Sequence, residues 1–325
     1  MTHVGVRDGV LQSLTQGGPG GADPGRLEVL REMDAADLPR WKKALEQWKP
    51  LGFGYYFPYV LAHQGTKRKA VLVAEDGGCL CSFILRERRK GAHLDVYLPP
   101  MPMDVKVAQR CLERANEFNG DRSARILRID ARDAAQAAKI PGVSIRERRK
   151  QYMYAPNAYA DLSGGKYRAL RRQLARTQQL QELETAPYSE RYASDCRTLL
   201  QRWAERHRST HGTSGDAGLS RRALGLADVL SAPDLTGEVF LLGGRVVGYW
   251  LGGEIRQGLG CLLDAKSDLD VPGLAYFQRY RFLTTHGGFE RVNDGSDARR
   301  PGLRQLKDSF RPVEMHTEYR GRQAQ

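Results

Sequence analysis

The stretch that decides this chain is Asn293-Asp294-Gly295-Ser296-Asp297, followed by Pro301-Gly302-Leu303-Arg304-Gln305-Leu306-Lys307-Asp308-Ser309-Phe310-Arg311-Pro312. A strand is expected to end at Asn293, an acidic, Gly-containing turn follows, and Pro301 stands just ahead of a short helix. Arg304 and Lys307 are spaced i, i+3 and project from one face of that helix. Asp294 and Asp297 precede it. A cation pair facing carboxylates at a strand end suits the binding of an amine and the steadying of a developing oxyanion. A surface ion-pair cluster would satisfy the same spacing.

Outward from that point, the second half reads as helices near 166–182, 192–207 and 219–230. A hairpin of strands follows (239–242 and 246–251 about Gly243-Gly244), then a strand at 258–263, a helix at 273–285 and a strand at 289–293. Helices, an antiparallel meander and a helix packed on the sheet make the element order of an acetyltransferase-type fold. The first half uses the same alphabet. Leu38, Trp41, Leu45 and Trp48 mark a helix with Asp37 as cap and Pro39 in its first turn. Strands at 70–74 and 79–85 flank the hairpin signal Asp76-Gly77-Gly78. A strand at 93–98 is expected to stop at Pro99-Pro100, with a helix at 105–119 and a short strand at 126–129 beyond it. The fold class expected is α+β, in two such domains (26–155 and 156–317), each a mostly antiparallel sheet flanked by helices. A Gly- and Pro-rich leader (1–25) and a frayed polar tail (318–325) complete the expected layout.

With these residues in hand, the second half resembles the C-terminal domain of phosphatidylglycerol lysyltransferases and its stand-alone relatives (DUF2156). The family's closing motif is matched by Asn293, Asp297, Gly302-Leu303-Arg304, Lys307 and Pro312. Its basic opening helix is matched by Gly165-Lys166-Tyr167-Arg168 and Arg171-Arg172, and its middle by Gly253-Glu254 and Asp264-Ala265-Lys266. The likeness spans about 155–313. It extends more loosely into the first half, at Tyr55-Tyr56-Phe57-Pro58-Tyr59. The resemblance implies tandem GNAT folds (the acyl-CoA N-acyltransferase-like fold), an aminoacyl-tRNA donor, and a cleft between the domains where acceptor meets donor. A counterpart of the membrane-spanning half of the lipid-modifying members is not expected, which favours a soluble acceptor, small molecule or peptide, over a phospholipid. Some relatives act in specialised-metabolite pathways, and the same setting is expected here.

An aminoacyl ester is already activated, so alignment and electrostatics suffice. Lys307 is the expected oxyanion-stabilising cation. Asp297 is expected to take the aminoacyl α-ammonium or the nucleophile's proton, Glu254 is a second candidate base, and Arg304 holds Asp297 or a phosphate. Asn293, Asp294, Asp264 and Lys266 are the expected substrate-binding set. Tyr167, Leu170 and Leu174 lie on one side of the basic helix, leaving Arg168, Arg171, Arg172 and Arg176, with Lys166, as a cationic stripe. The stripe is either a solvated amphipathic face or a phosphate-tracking surface for the tRNA.

Composition sets the bounds. The 325 residues carry a formal net charge of +13, with Arg well ahead of Lys, and 41% of them are hydrophobic. That is core for two domains and charge for a polyanionic partner. No segment approaches the roughly 20 apolar residues of a membrane span, and no signal peptide is present, so a cytoplasmic protein without integral membrane association is expected. The scattered Cys79, Cys81, Cys111, Cys196 and Cys261 suit reduced, buried thiols. His207 and His211 lack partners at metal spacing, so neither a metal nor a cofactor is expected. An acyl-CoA enzyme would need a Gly-rich phosphate cradle at Asp270-Val271-Pro272-Gly273-Leu274-Ala275. Its single Gly, its Pro and its leading acid serve that role poorly. A non-catalytic tRNA-binding protein would not require Asp294 and Asp297. The basic runs Arg86, Arg88, Arg89, Lys90 and Arg146, Arg148, Arg149, Lys150 read as solvated strand edges that add to the electrostatic footprint.

Overall fold

The computed structural model describes residues 29–64, 69–89, 91–213, 216–285 and 288–323, so the expected leader and Lys90 lie outside the described residues. In chain order the elements begin with β1 (Arg31–Glu32), α1 (Leu38–Trp48), α2 (Phe57–Leu61), β2 (Lys69–Asp76), β3 (Cys79–Arg88) and β4 (Gly91–Met101). Next come α3 (Val105–Asn119), β5 (Arg125–Asp130), α4 (Ala134–Ala137), β6 (Val143–Tyr154), α5 (Arg168–Gln178) and β7 (Leu183–Pro187). The chain continues with α6 (Ala193–His211), α7 (Ala217–Leu226), β8 (Thr236–Leu242), β9 (Arg245–Arg256) and β10 (Leu259–Ser267). It closes with α8 (Leu274–Thr285), β11 (Arg291–Asn293), α9 (Pro301–Ser309) and β12 (Glu314–Gln323). The chain divides into two compact units, Met1–Arg149 with Thr317–Gln325, and Lys150–His316.

In the first unit the strand order is β1-β2-β3-β4-β5-β12. The pairing is antiparallel except between β4 and β5, where Val96 faces Ile126 in a parallel pair. Helix α3 makes the crossover between them. Asp104 accepts its Val107 amide, and Gly120 ends it in the left-handed region at φ 70°. Val107, Ala108, Cys111, Leu112 and Ala115 form its apolar stripe, packed with Phe83, Leu85, Leu94, Val96 and Ile126 in one core. At about 25 cal/mol per Å² of apolar surface, this stripe rather than helix propensity holds α3 in place.

Two expectations fail in this unit. Strand β4 does not stop at Pro99-Pro100. Leu80 pairs with Met101 and Ser82 with Leu98, so the prolines fall in a register shift where no ladder N–H is required. Nor is the end of the chain a frayed tail. Glu318, Tyr319, Gly321 and Arg322 pair with Asp130, Ile129, Ile126 and Arg125, making β12 a strand that buries Glu318.

The second unit repeats the pattern, with the strand order β6-β11-β10-β9-β8-β7. Its parallel pair is β10 with β11, Cys261 facing Asn293, and its crossover helix is α8. The opening helix α5 is shorter than expected and gives way to the polar edge strand β7, which pairs antiparallel with β8. Tyr167, Leu170 and Leu174 from the start of α5 pack with Leu274 and Phe282 of α8 and Leu306 and Phe310 near α9. A meander, a helix and a parallel strand, twice over, make tandem GNAT folds.

Candidate active site

The closing motif is built where β11 runs out. Asn293 is wholly buried. Its Nδ2 donates to Gln151 Oε1 at 2.7 Å, and its Oδ1 accepts the Gly295 amide at 2.8 Å, which folds the chain back on itself. Gly295 turns at φ 63°. The Asp294 amide donates to Tyr152 O at 3.0 Å and the Tyr152 amide to Gly295 O at 2.9 Å, so β6 continues to guide the turn. Beyond it Ala298 and Arg299 have φ of 50° and 60°, a conformation that costs side-chain-bearing residues about 1 kcal/mol or more each. Asp297 holds them there: its Oδ1 accepts the Arg299 amide at 2.9 Å and its carbonyl the Arg300 amide at 2.9 Å. Pro301 then opens α9.

Helix α9 delivers Lys307 inward. The residue is 2% exposed. Its ammonium donates to the Asp294 carbonyl and lies 3.4 Å from Asp294 Oδ1. It also sits 5.4 Å from the centre of the Tyr152 ring. The same carboxylate accepts Arg279 Nε at 3.0 Å. One carboxylate therefore serves two buried cations. Burial pushes the lysine down to about 8, against the pull of Asp294 and with a further push from Arg279. The helix end is pinned by phenols, Tyr154 donating to Lys307 O at 3.0 Å and Tyr159 to Phe310 O at 2.7 Å. At the rim, Arg304 Nε donates to Asp297 Oδ2 at 2.6 Å, and the Tyr152 hydroxyl lies 3.5 Å from the same oxygen. Partial burial raises Asp297, but the Arg304 bond and the Arg299 amide leave it below its ordinary value.

Asn293, Asp294, Asp297, Arg304 and Lys307 thus come together, and sequence reasoning missed two members of the group, Arg279 and Tyr152. Tyr152 was hidden because its strand was read as a basic run. The signal available was the two-residue alternation of Gln151, Tyr152, Met153 and Tyr154. Asp264 and Lys266 form a second group. Lys266, 4% exposed, pairs with Asp264 and lies 3.4 Å from Asp216 Oδ1 and 4.8 Å from the Trp203 ring centre. Tyr249 OH donates to Asp264 Oδ2 at 2.9 Å. Burial opposes the charge on Lys266, yet Asp264 and Asp216 together lift it above its ordinary value. Among the described residues no hydrogen bond or ion pair joins this group to Lys307. Glu254 stands apart as well, on β9 opposite Gly260, its amide donating to Pro233 O at 2.8 Å.

Lys166, Arg168, Arg171, Arg172 and Arg176 are all exposed, while Tyr167, Leu170, Leu174 and Thr177 are buried beneath them. Arg171 is partly spent on the carbonyls of Leu162 and Gly164, at 2.6 and 2.8 Å. The start of α8 is filled rather than open. Thr177 Oγ1 donates to Pro272 O at 3.2 Å, and a Cβ on Gly273 would lie 2.3 Å from Gln173 O. Helix α5 occupies the place where a phosphate would need to approach. Among the described residues there is no group of three or more His, Cys, Asp or Glu side chains that could hold a metal ion. No described helix is long and apolar enough to cross a membrane.

Residues 63–321 match the model of the phosphatidylglycerol lysyltransferase C-terminal family. The chain belongs to that family. By its name the family is one of aminoacyltransferases, lysyl being an aminoacyl group. No curated protein matches in sequence. Among solved structures, a conserved protein of unknown function from Bacteroides thetaiotaomicron VPI-5482 is similar at 19% identity and TM-score 0.74, over 91% of this chain and 99% of that one. The L-PGS structure from Bacillus licheniformis is similar at 14% identity and TM-score 0.63, over 91% and 94%. FemX is similar at 9% identity and TM-score 0.58, over 90% and 96%. At these identities the structural likenesses speak for the tandem fold.

Proposed function

We propose that this family member moves an aminoacyl group from a charged tRNA to a soluble acceptor, a small molecule or peptide bearing an amine, hydroxyl or hydroxylamine. The observation that carries the reading is Lys307, a buried ammonium beside the single carboxylate of Asp294, its proton affinity lowered to about 8 by burial. At neutral pH such a group stabilises negative charge and can still release a proton. The nucleophile attacks the ester carbonyl, a C–N or C–O bond forms, and the carbonyl carbon–ribose oxygen bond breaks. Asp297 holds the α-ammonium or receives the nucleophile's proton, while Glu254, which stands apart on β9, takes no part. Lys307 stabilises the tetrahedral oxyanion, and the proton taken from the nucleophile is passed to the departing ribose oxygen, which leaves as the tRNA hydroxyl. Arg304 keeps Asp297 ionised and aimed, and Asn293 and Asp294 fix the turn that carries them. Asp264 and Lys266, paired and buried, serve the scaffold rather than the substrate, and the exposed cations of α5 take tRNA phosphates.

The decisive experiment is incubation with a full set of labelled aminoacyl-tRNAs and candidate nucleophiles. Release of label from one tRNA into a new amide or ester, slowed about 100-fold or more by Lys307→Met, is the expected result. Label release at the wild-type rate in that variant would remove the mechanism. Binding of charged and uncharged tRNA with no release would leave a non-catalytic binder. An acyl-CoA enzyme is disfavoured by the packing of α5 on Gly273, and protection from thermal unfolding by CoA would overturn that judgement.

A further inference from the structure

The strands of the first unit carry an arginine patch that the transfer chemistry does not use. On β3 and β4, Arg86 and Arg88 pair with Asp95, which also accepts the Arg125 amide of β5 at 3.0 Å and lies beside His93. On β5, β6 and β12, Arg128, Arg148 and Arg149 all converge on Glu318. Both carboxylates are buried. Arg320 stands on β12 two residues beyond Glu318, and burial together with the charges of Arg322, Arg125, Arg149 and Arg86 depresses its proton affinity. Guanidiniums outnumber carboxylates across the patch, and like charges crowd one another. The Nε–H groups of Arg86, Arg128, Arg148 and Arg320 are buried and have no acceptor among the described residues. The segment around α2 closes one end, Gly54 lying so near Arg128 that a Cβ there would be 2.6 Å from its Cδ. At the other end Arg88 keeps 40% of its side chain exposed and Arg322 is exposed.

Exposed guanidinium ends in excess of carboxylate, on Arg86, Arg88, Arg149 and Arg322, call for an anion with many oxygens. We propose that this strand surface of the first unit is a phosphate-backbone grip for RNA, engaging the tRNA at a place distinct from α5. The identity of the RNA rests on the donor reading above; the need for a polyphosphate does not. Arginine suits the task because its planar fork binds phosphate oxygens in pairs. A lipid surface fits less well. The exposed large apolar residues among those described are Val29, Val229, Leu269, Val313 and Met315, and none belongs to the patch, so it offers nothing to insert among acyl chains.

The test measures binding of uncharged tRNA by fluorescence anisotropy between 50 and 200 mM salt, for the wild type and for Arg88→Gln/Arg125→Gln/Arg322→Gln. The proposal expects affinity at low salt to fall by about tenfold or more. The slope of log affinity against log salt should shrink by about 1 for each phosphate contact removed. Should the triple variant melt below the assay temperature, Arg88→Gln and Arg322→Gln, both at exposed positions, are each expected to weaken binding several-fold. Unchanged affinity and slope in a folded variant would overturn the proposal. So would unchanged tRNA binding together with lost binding to phosphatidylglycerol vesicles, which would assign the patch to a membrane. The two readings fail separately. A protein that transfers no aminoacyl group but loses tRNA affinity in the variant refutes the transferase and keeps the grip. Normal transfer with the KM for aminoacyl-tRNA unmoved does the reverse.

Discussion

Two lysines are buried in the second unit, and they are held in opposite ways. Lys266 has two carboxylates, Asp264 and Asp216, and is raised above its ordinary value. Lys307 has one, shares it with Arg279, and is lowered from 10.5 to about 8. Burial is nearly the same, so the difference lies in charge balance. A buried ion pair with its partners satisfied is scaffolding, and taking one member away leaves a stranded charge. A buried cation short of partners is stored instability, and such groups collect where chemistry is done.

The sharpest way to break this contrast is to delete each ammonium. Lys266→Met should cost about 3–5 kcal/mol in denaturant unfolding, because buried Asp264 is left without its cation. Lys307→Met should cost about 1 kcal/mol or less. The lost bond to the Asp294 carbonyl is offset by relief of the crowded charge, and Arg279 still satisfies the carboxylate. Equal costs would erase the distinction. Activity should divide the other way, with Lys307→Met lowering transfer about 100-fold or more, the scale of one oxyanion donor.

Titration sharpens the same comparison. Between about pH 8 and the ordinary lysine value of 10.5, the unfolded chain holds a proton at Lys307 that the native chain has released. Stability therefore rises with pH across that window, by about 3 kcal/mol for this group, and the rise should be absent from Lys307→Met. A wild type whose stability, measured against that variant, is flat from pH 8 to 10.5 would contradict the burial account. If the ammonium is the working form, the rate of transfer should fall as pH climbs through about 8, a limb missing from the residual activity of the variant. The smallest effect belongs to the rim. Arg304→Gln should lower kcat/KM about tenfold or less, since Arg304 acts on Asp297 from an exposed position and salt screens it.

Much of the fold could be read from the residues. Amphipathic helices such as α3 and hairpins with glycine turns such as Gly77-Gly78 declare themselves by period and by turn chemistry. The strands that escaped, β1, β6, β7 and β12, are polar ones. In β6 and β12 the arginines and Glu318 neutralise one another across neighbouring strands, a pairing that no local window contains. The candidate site divides along the same line. Asn293, Asp294, Asp297, Arg304 and Lys307 lie within one short stretch, so spacing alone grouped them. Arg279 and Tyr152 reach the group from other elements and were invisible. Asp264 and Lys266 were found as residues, but their partners Asp216 and Trp203 come from distant positions, and it is those partners that make the group closed.

Gly273 carries a consequence for how this lineage can change. Its missing side chain lets α5 and α8 touch backbone to side chain, and a single methyl there would act as a wedge between them. A mutational path toward a nucleotide-thioester donor would have to prise those helices apart before any phosphate could enter. The same movement would swing the basic face of α5 out of line. Gaining one donor would thus mean surrendering the other, and the glycine is the latch that keeps the choice made.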